Sequence, residues 1–298
     1  MNQPITYLLA PLIALYVITP LVLDGVERKL KAALQSRIGP PVTQTIYDML
    51  KLLLVKETKT HPIPLYATLT LLSSLIVGLA SLYYTTLYIV EGDTLSMFYA
   101  LALFAISTST HTITPLLVPN PYSFIGGVRE VILAVVNEAA LITSISLYVI
   151  VAQRAAVRGL DYTLLVVVLG VALVSLIASY AASSRVPFDI AEAEPELASG
   201  MLIEFSGRVL ALNMYCLLLR RLLVKLLVLA PTVALVSGHG VESLVLALLL
   251  LPVIWVIYAT VAVILGRSRV DVAPLTLAKI YIVLLAISIT VLLVLPHA

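Results

Sequence analysis

Runs of roughly 20 apolar residues recur along this sequence, each the length a helix needs to cross a bilayer. They fall at about 5–23, 65–90, 95–118, 129–152, 161–182, 207–236, 241–266 and 273–296. The pattern predicts an all-α polytopic membrane protein with about eight transmembrane helices, forming one integral membrane domain over residues 1–298. Charged residues make up only 11% of the chain and hydrophobic ones 61%, whereas a soluble domain carries about a quarter charged residues. Too little polar surface remains to cover a water-soluble fold of this size. The opening run has no small-residue cleavage site before Asp24 and is expected to be a retained helix. Run 207–236 would be about 45 Å of helix against a hydrocarbon core of roughly 30 Å, so it must tilt, project from the lipid or break near Pro231.

The placement of charge is more informative than its sum of +2. Arg28, Lys29, Lys31, Arg37, Lys51, Lys56, Lys59, Arg129, Arg185, Arg208, Arg267 and Arg269 lie in or beside the connections after runs one, three, five and seven, while Arg154 and Arg158 are the only bases on the other side. The positive-inside rule then makes segments 24–64 and 183–206 cytoplasmic, puts both termini outside and gives a multi-pass protein of the cell membrane. Bases confined to short connections argue against a nucleic-acid partner and leave the lipid bilayer as the expected surroundings. Cys216 is the single cysteine, so no cysteine-based iron–sulfur or zinc site is expected within this chain. His61, His111, His239 and His297 are scattered without metal-ligand spacing and receive no role. Walker A, dinucleotide-binding and nucleophile-elbow patterns are absent. Four Asn and four Gln in the whole chain fit a heat-adapted source.

Three groups of residues carry chemistry. Segment 24–64 is the largest polar region; within it a Gly39-Pro40-Pro41 turn precedes a stretch in which Ile46, Met49, Leu50, Leu53 and Leu54 recur at helical spacing and Gln44, Asp48 and Lys51 line another face. This predicts an amphipathic helix, and a lipid-headgroup-binding basic loop is an equal reading of the segment as a whole. Segment 183–206 places Asp189, Glu192, Glu194, Glu196 and Glu204 within 16 residues, bracketed by Arg185 and Arg208. Crowded carboxylates beside apolar helices move toward neutral pKa values, as proton uptake requires; an ordinary acidic surface loop is the alternative. The third group lies within apolar runs: Glu130, Glu138, Arg220, Arg221, Lys225 and Lys279. A charge at the bilayer centre costs about 2.5 kcal/mol or more, so such residues should face one another or water. Glu138 is the best single candidate for an ion path, Glu130 reads as interfacial, and Lys279 is close enough to a helix end to snorkel. Arg220, Arg221 and Lys225 are possible charge partners for the carboxylates.

Taken together, Glu27-Arg28-Lys29, Arg37-x-Gly39-Pro40, Gln44-x3-Asp48-x2-Lys51, Lys56-Glu57, Arg185-x-Pro187-Phe188-Asp189, Glu192-Ala193-Glu194-x-Glu196 and Glu204-Phe205-Ser206-Gly207 resemble the subunit 1 proteins of complex I and their counterparts in membrane-bound NiFe hydrogenases and formate hydrogenlyases. The resemblance implies eight helices and cytoplasmic segments that dock a hydrogenase-like large subunit and a small iron–sulfur subunit, beside antiporter-like membrane subunits. By motif position, Glu27, Glu138, Asp189, Glu192, Glu194, Glu196 and Glu204 inherit ion-coupling roles. Arg37, Asp48, Lys51 and Arg185 inherit docking or loop-ordering roles. No catalytic or metal-binding residue is expected here; iron–sulfur clusters and a NiFe site would belong to partner subunits. The single Gly-Pro before Gln44 and the Pro195 within the glutamate run resemble the hydrogenase side more than the quinone-reducing side. A quinone-chamber subunit of an NADH or F420H2:quinone oxidoreductase is the alternative, and a stand-alone secondary transporter is the alternative of another class.

Overall fold

A computed structural model describes residues 3–54, 65–158, 161–191 and 200–294. Among the described residues the chain is helical and contains no strand. The helices are α1 (Gln3–Leu34), α2 (Gln44–Leu54), α3 (Leu65–Glu91), α4 (Thr94–Ile113, continued by a 3-10 turn Thr114–Leu117), α5 (Pro121–Arg158), α6 (Tyr162–Ala182), α7 (Gly207–Ser237), α8 (Val241–Ile264) and α9 (Val272–Val294). Six of them, α3, α4 with its 3-10 turn, α5, α6, α8 and α9, contain segments long and apolar enough to cross a membrane. The other two expected spans also lie in long helices, α1 of 32 and α7 of 31 residues, or about 48 and 47 Å at 1.5 Å per residue. Helix α7 carries Pro231 without interruption, so no break occurs there.

One boundary differs from expectation. The apolar run of α1 ends at residue 23, yet the helix continues for three more turns to Leu34, because Glu, Arg, Lys, Leu and Ala are strong helix formers. It stops in a Schellman arrangement: Ser36 adopts φ 55°, its N–H donates to the Ala33 carbonyl at 3.1 Å, and the Arg37 N–H reaches the Ala32 carbonyl at 2.9 Å. The Gly-Pro-Pro turn then folds back over α1. A Cβ on Gly25 would lie 1.8 Å from the Val42 carbonyl oxygen, so only glycine permits this approach.

The amphipathic helix forms as predicted, over Gln44–Leu54, but it does not bury its whole apolar stripe. It packs on α1 and α7, burying Thr45 and Met49 while Leu50, Leu53 and Leu54 stay exposed. Polar contacts to α1, described below, fix this orientation.

Helix α7 is the axis of the bundle. It packs on α1, α2, α3, α4, α5, α6 and α8, and residues 222–231 are buried on every side, as expected for a helix without a solvated face. Small residues let the neighbouring helices close in. Between α3 and α4, Ser74 Oγ donates to the Ser107 carbonyl at 2.8 Å and Ser107 Oγ donates back to the Ser74 carbonyl at 2.7 Å. Helix α9 lies at the periphery on α5 and α6.

Candidate functional site

The polar end of α1 presents Asp24, Glu27, Arg28 and Lys31 at helical spacing, so one face of one helix offers two acids and two bases. Glu27 is only 3% exposed. Its carboxylate is ion-paired with Arg185, accepts from Lys31 Nζ at 2.8 Å and from Trp255 Nε1 at 2.7 Å. Asp24 accepts from Thr45 Oγ1 at 2.8 Å and lies 3.3 Å from Arg28 Nε and 3.7 Å from Arg221 Nη1. Asp48 receives Arg28 Nη1 at 2.9 Å and Gln44 Nε2 at 2.8 Å. These contacts hold α2 against α1 through polar groups, which explains why part of its apolar stripe faces outward.

Arg185 reaches Glu27 because α6 ends abruptly. Ser184 follows with φ 47°, a conformation that side chains other than glycine's seldom adopt. The turn aims adjacent residues in two directions: Arg185 at Glu27, and Ser184 Oγ at Glu130 Oε1, 3.3 Å away. Tyr180 Oη donates to the Val186 carbonyl, and the Pro187 carbonyl accepts from Ser268 Oγ at 2.6 Å, tying the turn to the start of α9.

Glu130 is not interfacial, as its sequence position suggests, but 1% exposed and paired with Arg220 Nη1 at 2.6 Å. Helix α5 begins at Pro121, so Glu130 lies nine residues inside it. The three bases of α7 diverge to different neighbours. Arg220 meets α5; Arg221 meets Asp24 and donates from Nε to the Ser183 carbonyl at 3.0 Å. Lys225, 0% exposed, donates to the Arg221 carbonyl at 2.7 Å. Its ammonium sits 4.1 Å from the Trp255 ring centroid and 5.3 Å from that of Tyr258, where the electron-rich faces of the rings stabilise a cation. Six bases (Arg28, Lys31, Arg185, Arg220, Arg221, Lys225) thus surround four acids (Asp24, Glu27, Asp48, Glu130). Breaking a buried pair of this kind leaves an uncompensated charge and costs about 3–5 kcal/mol.

Glu138, eight residues beyond Glu130 on α5, is buried, and its Oε1 meets no hydrogen-bond partner among the described residues. Buried carboxylates kept for structure are normally paired. Asp189 pairs with Arg267 Nη2 at 2.9 Å, and Glu204 accepts from Asn120; both lie apart from the Glu27 cluster. Arg37 and Lys51 are exposed, Arg37 donating to Gln35 Oε1 at 2.9 Å. Lys279 is exposed as expected. Glu192, Glu194 and Glu196 lie outside the described residues. Among the described residues no three His, Cys, Asp or Glu side chains gather as a metal site.

Residues without a sequence signal complete the cluster. Trp255 bridges Glu27 and Lys225 across 228 positions of chain; its only forewarning is an indole N–H in an apolar run, which needs an acceptor when buried. His111, assigned no role from sequence, is buried with Nε2 2.8 Å from Asn213 Oδ1, seven residues before Arg220 on α7.

The NADH dehydrogenase family matches residues 7–294 of the chain. Hydrogenase-4 component C of Escherichia coli is 30% identical over 286 residues, covering 89% of each chain. Formate hydrogenlyase subunit 4 of the same organism is 27% identical over 292 residues, covering 91% of this chain and 93% of that protein. A membrane subunit of the NADH-quinone oxidoreductase of Geobacillus thermodenitrificans is 31% identical over 197 residues, 61% of this chain and 59% of that protein. A chain of the membrane-bound sulfane sulfur reductase, an archaeal respiratory membrane complex, superposes with a TM-score of 0.69 at 20% identity, covering 94% of this chain and 98% of that one, a likeness of fold. The chain belongs to the NADH dehydrogenase family, in its complex I subunit 1 type.

Proposed function

We propose that this protein is the membrane-anchor and coupling subunit of an ion-translocating, ferredoxin-oxidising complex of the membrane-bound hydrogenase type. The observation that carries the reading is the Ser184-Arg185 turn, which joins segment 183–206 to Glu27 on one side and to the Glu130–Arg220 pair on the other. A soluble arm seated on that segment can move Arg185. Withdrawal of Arg185 strips Glu27 of its nearest buried counter-charge and favours its protonation; return of the arginine expels the proton. The displacement also loads Ser184 and the adjoining Glu130–Arg220 pair, from which Glu138 lies two helical turns away. Coupling of this kind requires two states that the redox arm and the ion occupy differently.

In this reading the chain holds no redox group. Iron–sulfur clusters and a NiFe site belong to a small and a large partner subunit, with antiporter-like subunits beside it in the membrane and segments 24–64 and 183–206 on the cytoplasmic side. Near-complete coverage of hydrogenase-4 component C and formate hydrogenlyase subunit 4, against partial coverage of the NADH-quinone oxidoreductase subunit, supports the hydrogenase-type branch. A cavity between α1, α2 and α7, lined by Asp24, Arg28, Thr45, Asp48, Met49 and Arg221 among others, favours the quinone-binding alternative, but its volume of about 150 Å³ is below the roughly 300–1,000 Å³ of ligand clefts.

The test uses the complex purified in mild detergent and reconstituted in liposomes. Glu138→Gln should leave assembly and electron transfer from reduced ferredoxin within about twofold of the parent while abolishing ion uptake; unchanged uptake would reduce the chain to a passive anchor. Nickel and hydrogen evolution are expected in the same preparation. Iron without nickel, together with quinone reduction, would select the quinone branch, and ion transport by the chain purified alone would select the transporter.

A further inference from the structure

A second site lies on the outside of the bundle, away from the Glu27 cluster. The first turns of α5 and α9 diverge to leave a groove of about 820 Å³, lined by Arg129, Arg267 and Arg269 at one end and by Ile132, Val136, Leu275 and Ala278 along its length. The order is the same on both helices. Arg129 precedes Ile132 and Val136 by one and two turns, and Arg269 precedes Leu275 and Ala278 by similar steps. A basic mouth therefore opens onto an apolar lane between two helices long and apolar enough to cross a membrane. Ile132 is 50% and Leu275 63% exposed, so the lane is uncovered by the chain itself.

The mouth retains donors for an anion. Arg267 engages Asp189 through Nε and Nη2, and Arg269 engages Asp271 in the same way. A guanidinium has five N–H groups in a planar fork, so each of these two arginines holds its aspartate and still has N–H groups to offer. Among the residues that line the groove, Asp271 is the one acid beside three arginines. An aqueous anion would fill the basic end and leave the lane empty; an uncharged lipid would fill the lane and leave the arginines unmatched.

We propose that this groove holds one anionic phospholipid, its phosphate on Arg129, Arg267 and Arg269 and its acyl chains along Ile132, Val136, Leu275 and Ala278. Basic pockets between membrane helices recognise anionic headgroups through the same pairing of charge with an apolar lane. Because the Pro187 carbonyl is bound by Ser268 and Asp189 by Arg267, the occupied groove would brace the far side of the 183–206 segment.

The experiment adds photoactivatable phosphatidylglycerol or phosphatidylcholine, each with a diazirine in one acyl chain, to the lipid-depleted complex and maps the crosslinked peptides. Phosphatidylglycerol is expected to label the peptides carrying Ile132 and Leu275 at least about tenfold more than phosphatidylcholine, with the label falling about fivefold for each arginine removed in Arg269→Gln and Arg129→Gln. Arg269 is among the most exposed side chains of the groove, so its replacement leaves folding intact. Ala278→Phe, which narrows the lane, should lower labelling by both lipids. Equal labelling by the two lipids, or labelling indifferent to the arginine variants, would overturn the proposal. So would crosslinks from Leu275 to an acidic segment of a partner subunit, which would make the groove a protein interface.

Discussion

Helices α7 and α9 invert the rule that governs soluble proteins. Helix α7 carries Arg208, Arg220, Arg221 and Lys225, yet it is the most enclosed element of the bundle. Helix α9 has Lys279 as its one charge and turns Leu275, Ile282, Val283 and Ile287 outward. In water the first would be a surface helix and the second a core helix. In a bilayer the lipid solvates apolar side chains as well as a protein core does, and only another protein group or water can satisfy a charge. Burial in this chain is therefore set by where charge finds partners. A long helix that falls outside the six most apolar spans becomes the axis around which those spans are arranged.

The largest expected effect comes from breaking the partnership that keeps α7 inside. Arg220→Leu leaves Glu130 buried without its counter-charge and should destabilise the protein by about 3–5 kcal/mol, read as thermal unfolding of the detergent-purified complex. The double variant Glu130→Leu, Arg220→Leu should recover most of that loss, because replacing both members of a buried pair by apolar side chains is often neutral. If the double is as unstable as the single, the pair is not what places α7. The converse change puts a charge where α9 has none. Val283, near the middle of the helix and 56% exposed, becomes costly as Val283→Lys by about 2.5–3.5 kcal/mol if lipid covers that face. Tolerance of the lysine would show that water or an acidic partner lies there instead, and would sharpen the comparison by making α9 an interface.

Much of this arrangement is legible in the sequence, for reasons that also locate the failures. The apolar runs predict every long helix because the bilayer imposes a length that no turn chemistry can disguise. The polar segment 24–34 reads as connection only if charge is taken as the end of a helix, whereas here it marks only the end of the apolar stretch. The same assumption moves Glu130 to an interface. Gly126 and Gly127 precede the apolar run of α5, yet both lie inside the helix, where a Cβ on Gly127 would come within 2.7 Å of Leu116 Cδ2. Glu27 and Arg185 each stand out in the sequence, but their pairing across 158 positions does not, since no local pattern encodes it. The amphipathic period of α2 is plain from its spacing and its docking face is not, because the decisive groups, Thr45 and Asp48, bind residues on another helix.

Trp255 is the sharpest case of such a long-range contact, and its removal yields the smallest of these effects. Trp255→Phe keeps an aromatic face over Lys225 and deletes only the Nε1–H that Glu27 accepts at 2.7 Å. Hydrogen bonds to charged groups contribute about 1.5–3 kcal/mol. Arg185 and Lys31 remain on the same carboxylate, so the loss should sit near the lower bound, about 1.5 kcal/mol. A cycle with Glu27→Gln separates the two jobs of the indole. Loss of the donor predicts that Trp255→Phe costs markedly less once Glu27 is neutral, while a pure packing role predicts the same cost in both backgrounds. The first result would show that an apolar helix with no ionisable residue of its own at this level still holds the charged axis in place, through one polar atom; the second would return α8 to the role of passive wall.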